Sequence, residues 1–390
     1  MRRIIGSVFL FIVSYNTSQA QRQVSRDEAV QLALNNQRNL RAATLSVQQQ
    51  QQLSRGAAAI ENPQLFGEAT PYEPLIVGVQ QTFSLPSVYR NRRALQNERI
   101  RLAQLQLQGS AYDLKRDVRL SYLQLQYLNE RERLLRYQDS IYQAIKTSSI
   151  RFFEAGQINK LEELQARTQA DRVRNDLARI QADLSAERQL FSFYTNLTDS
   201  FTVTSIETYA FVTQPDTAIT NVQQQILQQQ IAVSQRELRL ERSGLLPEVQ
   251  AGVSLPTTGE TERAFGYQFG VSIPLWQRQN RSRIAAAQTG IEIARAQQEL
   301  EQQRLNAQYR QAVTNYQREL QSLAYFNTTA LPQARAIIET SQRLFGGGEL
   351  NYIESLRNLD TAFEIFLNHV DTHRAYNEAV IQLNYLNGTL

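Results

Sequence analysis

Two spacings of apolar residues divide the chain. Over Glu248 to Leu255, Val249, Ala251, Val253 and Leu255 alternate with Glu248, Gln250, Gly252 and Ser254. Phe265 to Leu275 repeats this, with Phe265, Tyr267, Phe269, Val271, Ile273 and Leu275 set against Gly266, Gln268, Gly270 and Ser272. Nearer the start, Leu75, Val77, Val79, Phe83 and Leu85 alternate with Gly78, Gln80, Thr82 and Ser84, and Ile76 and Gln81 fall out of phase. Its partner, Gln64 to Thr70, is shorter and less regular. A period of two predicts strands with one apolar and one polar face. Elsewhere the apolar residues follow helical spacing, as in Leu102, Leu105, Leu114, Leu125 and Leu128 among Gln and Arg. That pattern predicts very long amphipathic helices joined along a coiled-coil seam.

The order of elements occurs twice. Phe153, Gly156, Asn159, Glu162 and Leu164 recur as Phe345, Gly348, Asn351, Glu354 and Leu356, and Ser84-Leu85-Pro86 recurs as Ser272-Ile273-Pro274. Pro63 likewise matches Pro247. Each copy predicts a helix, two strands, a very long helix, a glycine turn and a return helix. The first spans 21–195, with a helix from Val24 to about Ile60 that opens on the capping-box sequence Ser25-Arg26-Asp27-Glu28, strands near 64–85 and a hairpin tip near 153–160. From Ser87 to Phe153 there is no Pro and one Gly, Gly109, so at ~1.5 Å per residue that helix approaches roughly 100 Å. The second copy spans 219–390, with strands near 248–275, a kink expected at Pro332 and a tip near 345–351. Between them 196–218 reads as a connector with a short strand at Phe201 to Ile206.

Residues 1–20 form a third kind of segment. Arg2-Arg3, an apolar stretch from Ile4 to Val13 and Ser18-Gln19-Ala20 make a secretory signal, so the chain is expected to be exported.

Composition narrows the function. The 390 residues include 41 Lys+Arg, of which three are lysine (Lys115, Lys146, Lys160), and 50 glutamines. Few breakers among so much Gln and Arg favour helices with wet faces. Beyond the N-terminus no run of ~18 apolar residues exists, which excludes helical membrane spans. With no Cys, thiolate metal sites, a Cys nucleophile and disulfides are excluded. The net charge of +4 is interspersed without a basic stripe, which gives no nucleic-acid footprint. No nucleophile–base pair, phosphate loop or catalytic carboxylate pair is present, so no enzyme and no cofactor is expected.

Strict alternation over ~9–11 residues fits a membrane β-barrel strand with lipid on one side and water on the other. It fits equally a half-buried strand of a soluble sheet. Export, small neutral polar positions and aromatic residues near segment ends (Phe83, Tyr89, Phe265, Trp276) favour the barrel. In lipid every strand edge must pair, and four strands cannot close alone. A shared barrel from two, three or four copies, giving 8, 12 or 16 strands, satisfies this. The fold class is therefore mainly α with a small β part: long antiparallel helical hairpins forming an α-barrel, plus four strands per chain contributed to a shared transmembrane β-barrel. The alternative is a soluble periplasmic coiled-coil adaptor or scaffold.

Three groups of side chains are candidates for chemistry. His369 and His373 lie one helical turn apart, a chelating spacing; two ligands alone make a weak site, and no metal is assigned. Glu162, Glu163, Glu349 and Glu354 open return helices, where the helix dipole favours them and a gate or docking contact would also place them. Arg90, Arg92, Arg93, Arg278, Arg281 and Arg283 follow the strands, at the level of lipid headgroups.

The chain resembles the TolC family of outer-membrane efflux proteins. The resemblance is carried by Glu28 to Asn36, by Leu246-Pro247-Glu248-Val249-Gln250, by Arg151 to Ala166 and its copy at Phe345 to Asn358, and by Tyr376-Asn377-Glu378-Ala379. It implies a homotrimer in the bacterial outer membrane, with a 12-stranded barrel and a helical periplasmic tunnel. It implies partners too: a periplasmic adaptor and an inner-membrane pump of the RND type, with outer-membrane lipid around the barrel. On it, Gly156, Gln157, Leu164, Gly346, Gly347, Gly348 and Leu356 belong to adaptor-docking tips, and Glu162 and Glu354 to a gate. The later acid of the family falls here on Gln165 and Arg357, which weakens a doubled acid ring. The run Gln81 to Tyr89 resembles the CusC/CzcC-like members serving heavy-metal or cation pumps. Export of drugs or proteins is the alternative cargo.

Overall fold

Pro86, just before the long Pro-free stretch, opens its helix, and nothing interrupts it. In the computed structural model, which describes residues 22–70, 73–198, 200–212, 221–256, 265–346 and 352–390, one helix runs through Pro86–Glu154 for 69 residues. The chain order is β1 (Arg22–Val24), α1 (Arg26–Asn35), α2 (Gln37–Gly56), β2 (Gln64–Thr70), β3 (Glu73–Phe83), α3 (Pro86–Glu154), α4 (Lys160–Thr195) and β4 (Phe201–Val203). It continues with α5 (Val222–Ser243), β5 (Glu248–Pro256), β6 (Gly266–Ser272), α6 (Arg278–Tyr325), α7 (Leu331–Gly346) and α8 (Tyr352–Asn387). Residues 1–20, where a signal segment is expected, lie outside the described residues.

The expected kink at Pro332 takes a particular form. Between α6 and α7 the five residues Phe326–Ala330 form a π-helical turn, and α7 begins at Leu331, one residue before the proline. Proline has no N–H and its ring crowds the carbonyl four residues back; the wider turn absorbs both problems without breaking the rod. Residues 278–346 are thus one continuous helical rod as long as α3, and α8 has the 36 residues of α4.

The N-terminal helix expected from Val24 to Ile60 is three elements instead. Residues 22–24 form β1, which pairs in parallel with β4; β4 itself stops at Val203, short of the expected Ile206. Asn36 then splits the helix, because its amide has other partners. Its oxygen caps α2 at the Arg38 N–H (3.3 Å), while its Nδ2 donates to the Tyr194 carbonyl (3.1 Å) at the end of α4, where Asn39 Nδ2 also donates (2.8 Å). The capping box is half formed: Ser25 Oγ accepts from the Glu28 N–H (3.2 Å), but the Glu28 carboxylate turns to Arg22.

The buried seams join helices rather than fill a globule. Val24, Ala29, Val30, Leu114, Val118, Tyr122, Leu125 and Phe191 form one cluster around the mid-length of α3. A second, near the hairpin tips, holds Tyr142, Ala166, Val173, Tyr352, Leu356 and Phe363. Between them the connector strap is pinned by polar groups. Tyr122 Oη donates to the Val24 carbonyl (2.9 Å) and accepts from the Thr204 N–H (3.1 Å). Asn377, fully buried, accepts from the Tyr209 N–H (2.9 Å) and donates to the Glu207 carbonyl (2.8 Å).

The sheet stands apart from these seams, in the order β2-β3-β5-β6, with every neighbour antiparallel. The last strand ends at Ser272 rather than Leu275, since Pro274 has no N–H to donate.

Tyr122→Phe should cost about 1–3 kcal/mol by leaving the Val24 carbonyl and the Thr204 N–H without their partner. Urea unfolding followed by circular dichroism measures this. Tyr137→Phe, at an exposed ring, should leave the midpoint unchanged.

Candidate functional site

Register decides what each face of the sheet carries. The pairs Leu65↔Val79, Val77↔Leu255, Val79↔Val253, Phe83↔Val249, Ala251↔Phe269 and Val253↔Tyr267 place the odd-numbered apolar residues of all four strands on one side. That side is bare: Leu65 is 85% exposed, Tyr267 75%, Phe269 81%, and Trp276, just past β6, 89%. No described element covers it. The other side carries Gln64, Gln80, Thr82, Gln250, Ser254, Gln268 and Ser272, with glycines between. Gln80 Nε2 donates to Gln250 Oε1 across the β3–β5 pair (2.6 Å). Its carboxylates sit at opposite ends: Glu248 by the helices, accepting from Ser84 Oγ (3.3 Å), and Glu68 by the hairpin loops. Among the described residues nothing pairs with the outer edges of β2 and β6. Because the four strands alternate in direction, β6 of one copy laid against β2 of another would again be antiparallel.

The far end of the long rods is the second feature. After α3, Gly156 takes a left-handed conformation (φ 70°). The Gln157 N–H reaches the Phe152 carbonyl (2.8 Å) and the Gly156 N–H the Phe153 carbonyl (3.0 Å), a Schellman closure that needs no side chain. Asn159 then caps α4. Its oxygen accepts from the Glu162 N–H (3.0 Å), and the Glu162 carboxylate accepts from the Asn159 N–H (2.8 Å). Glu162 therefore has a structural task at this turn. Its neighbour Glu163, expected with it at a helix start where a gate or docking contact would fall, is instead buried beneath Lys160 and Arg167. The Lys160 hydrogen bond, against some desolvation and with help from Arg167, holds its carboxyl below the usual carboxylate range.

The two tips meet through aromatic rings. Tyr352 lies 6.4 Å from Phe152 and 6.1 Å from Phe345, and its hydroxyl donates to the Ile145 carbonyl (3.0 Å). Leu356 points into this cluster and is 6% exposed, so its side chain packs inward, whereas Leu164 is 46% exposed. Gly156 and Gln157 are exposed, as is Glu354 in the first turn of α8. Gly346 ends α7; Gly347 and Gly348 lie outside the described residues.

His369 and His373 come together as spaced, with rings 5.9 Å apart. Each nitrogen that faces the protein is engaged: His369 Nε2 meets Asn327 Oδ1 in the π turn (3.1 Å), and His373 Nε2 meets Thr208 Oγ1 (3.2 Å). Among the described residues no group of three or more His, Cys, Asp or Glu is placed to hold a metal. At the junction of sheet and helices, Arg92 reaches Glu61 (3.5 Å) and lies over the Tyr89 ring. Arg278, Arg281 and Arg283 form no ion pair among the described residues.

No protein-family model and no curated protein matches the chain. Its backbone does match solved structures over nearly its whole length. The structure of CusC is 17% identical with a TM-score of 0.79, covering 93% of this chain and 91% of that one. The Campylobacter jejuni CmeC outer membrane channel is 12% identical at TM-score 0.79, covering 93% and 85%. The outer-membrane channel OprN is 13% identical at TM-score 0.81, covering 94% and 90%. At such identities the fold is what is shared, and the chain has the fold of TolC-type outer-membrane channels, with an α-barrel part and a small β part.

Burial keeps the His369 and His373 rings below the ordinary histidine value of 6.5, and each ring's proximity to Glu130 opposes this only partly. The unfolded chain then binds protons that the folded chain refuses, so stability should fall as pH drops below about 6.5. Melting temperatures at pH 7.5 and 5.5 test this. The double variant His369→Asn, His373→Asn should show a smaller difference; an unchanged difference would place the acid sensitivity elsewhere.

Proposed function

We propose that this protein is an outer-membrane channel: the passive exit duct of a tripartite efflux system, carrying cargo from periplasm to exterior. The observation that carries the proposal is the four-stranded sheet with a bare apolar face, a neutral wet face and two open edges. In lipid an unpaired backbone group costs several kcal/mol. Several copies closed edge to edge remove both edges at once, put the apolar face on lipid and turn the glutamines onto a water-filled lumen. The likeness to outer-membrane channels supports three copies and 12 strands. A soluble scaffold would need a cover for the apolar face, and the described chain supplies none.

The remaining parts then take places around that barrel. Residues 1–20 export the chain, the rods cross the periplasm, and 196–218 girdles them between two repeats, 21–195 and 219–390. The tips at Gly156, Gln157, Leu164 and 346–348 face a periplasmic adaptor bound to an inner-membrane RND-type pump, which supplies the energy. Leu356 supports that surface from within. Cation or heavy-metal efflux is the cargo assignment that Gln81 to Tyr89 supports. The polar face offers neither thiolate nor imidazole, so a metal would pass hydrated or complexed.

Because the chain lacks cysteine, single introduced thiols report each face cleanly. In membranes, Gln250→Cys and Gln268→Cys should react with a charged methanethiosulfonate at least about tenfold faster than Val253→Cys and Phe269→Cys, since the latter thiols sit in hydrocarbon. Similar rates on the two faces would sink the barrel. Planar-bilayer recordings of the detergent-purified oligomer should show discrete conductance. Glu162→Gln retains the cap acceptor while removing charge; combined with Glu354→Gln it should raise open probability if these carboxylates gate the tip. An unchanged open probability would leave Glu162 as a cap alone.

A further inference from the structure

The lumenal face is polar or small along its length except at one place. Phe66 and Ile76 break its alternation: Phe66 pairs at the middle of β3, and Ile76 lies two residues nearer the hairpin loop. Phe66 pairs with Gly78, and its ring rests on that glycine: a Cβ there would come within 2.4 Å of Phe66 Cζ and 2.7 Å of the Val253 carbonyl. Only glycine lets the ring lie against the wall. Further along the same row come Ser254 and Gly266, where a Cβ on the glycine would meet Ser254 Oγ at 2.5 Å. The ring and the Ser254 hydroxyl thus occupy the spaces over the two glycines, and one large aromatic side chain lies along a row of otherwise small residues.

Glu68 stands beyond this ring on the same strand. It is two residues beyond Phe66 on β2, hence on the same face and about 6.6 Å along the strand, and it pairs in register with Ile76. Its carboxylate is exposed and forms no ion pair among the described residues. An aromatic ring, an aliphatic side chain and an unneutralised carboxylate within one span of strand match one ligand chemistry. A cation gains from both the ring face and the carboxylate, and its apolar substituents gain from Phe66 and Ile76.

We propose that Phe66, Ile76 and Glu68 form a binding site for a lipophilic organic cation at the outer mouth of the lumen. The site rests on the channel assignment, but not on heavy-metal cargo. It makes the mouth a foothold for amphiphilic cations, whereas small hydrated ions pass without contact. Repetition in each copy would give a ring of such sites.

Ser254→Cys reports occupancy, since it lies in the same row without touching the three residues' chemistry. The probe is tetraphenylphosphonium, and the readout is the rate of thiol modification in purified oligomer with and without it. Modification of Ser254→Cys should be slowed by tetraphenylphosphonium and not by tetraphenylborate, which has the same shape and opposite charge. Adding Glu68→Gln, or Phe66→Leu as a change that still covers Gly78, should raise the half-protecting concentration about tenfold. Equal protection by both probes, or protection indifferent to both substitutions, overturns the site. A thiol that reacts readily but is never protected does so too, and leaves the channel standing. A thiol that never reacts with the water-soluble reagent overturns the lumenal face itself, and with it the channel.

Discussion

Everything in this molecule follows from a sheet that cannot be satisfied by its own chain. Four strands pair with one another and stop, leaving the outer backbone groups of β2 and β6 without partners and a face of Val, Leu, Tyr and Phe without cover. Either fault could be cured separately, by a capping helix or a second sheet. Closure with further copies in a bilayer cures both: the edges pair, antiparallel as an even number of alternating strands prescribes, and lipid covers the apolar face. The requirement for company is thus built into the single chain, before any contact between copies is considered.

The helices answer to a different constraint. A rod of 69 residues has far more lateral surface than its partners within the chain can bury, which is why its exposed face is Gln, Arg and Asn. Hydrophobic burial is confined to separate seams at mid-length and near the tips. At mid-length the strap over 201–212 is fixed both by apolar packing of Phe201, Val203, Tyr209 and Phe211 and by hydrogen bonds with Tyr122, Gln126 and Asn377. Polar fixation of this kind specifies one register among helices that could otherwise slide by a turn. The π turn before Pro332 is the one place where the second rod departs from the first, and it is where His369 joins α8 to that rod through Asn327.

Most of the architecture was legible in the residues because two periodicities rarely mix. The strands at 75–83, 248–256 and 266–272 were visible as alternation, and the rods as breaker-free stretches. What escaped was set by distant partners. β1 is three residues long and exists only because β4 lies beside it. Asn36 splits a helix whose local sequence continues, because its amide binds the end of α4, 158 residues away. Glu28 abandons its capping box for Arg22. At the tips, Glu162 was readable as an acid at a helix start, whereas the burial of Glu163 depends on side chains folding over it. Leu164 and Leu356 occupy equivalent repeat positions, yet one faces out and the other in, a difference no internal repeat can express.

The out-of-phase residues of the strands are the more instructive case. Ile76 reads as an error in the alternation, and Phe66 as weak patterning in a short strand. Once the register sets Phe66 on Gly78 and Ile76 beside Glu68, the two irregularities fall on one face, on successive same-face rows. A strand buried in a soluble core would gain little by placing an aromatic ring among glutamines and glycines. A wall that solutes pass along gains a point of contact, and with Glu248 at the opposite end of the face, Glu68 is the carboxylate that stands beside a ring. The glutamines, serines and threonine of the remaining wall are uncharged and exchange hydrogen bonds with water, so that contact at the mouth and passage of hydrated ions below it belong to one surface.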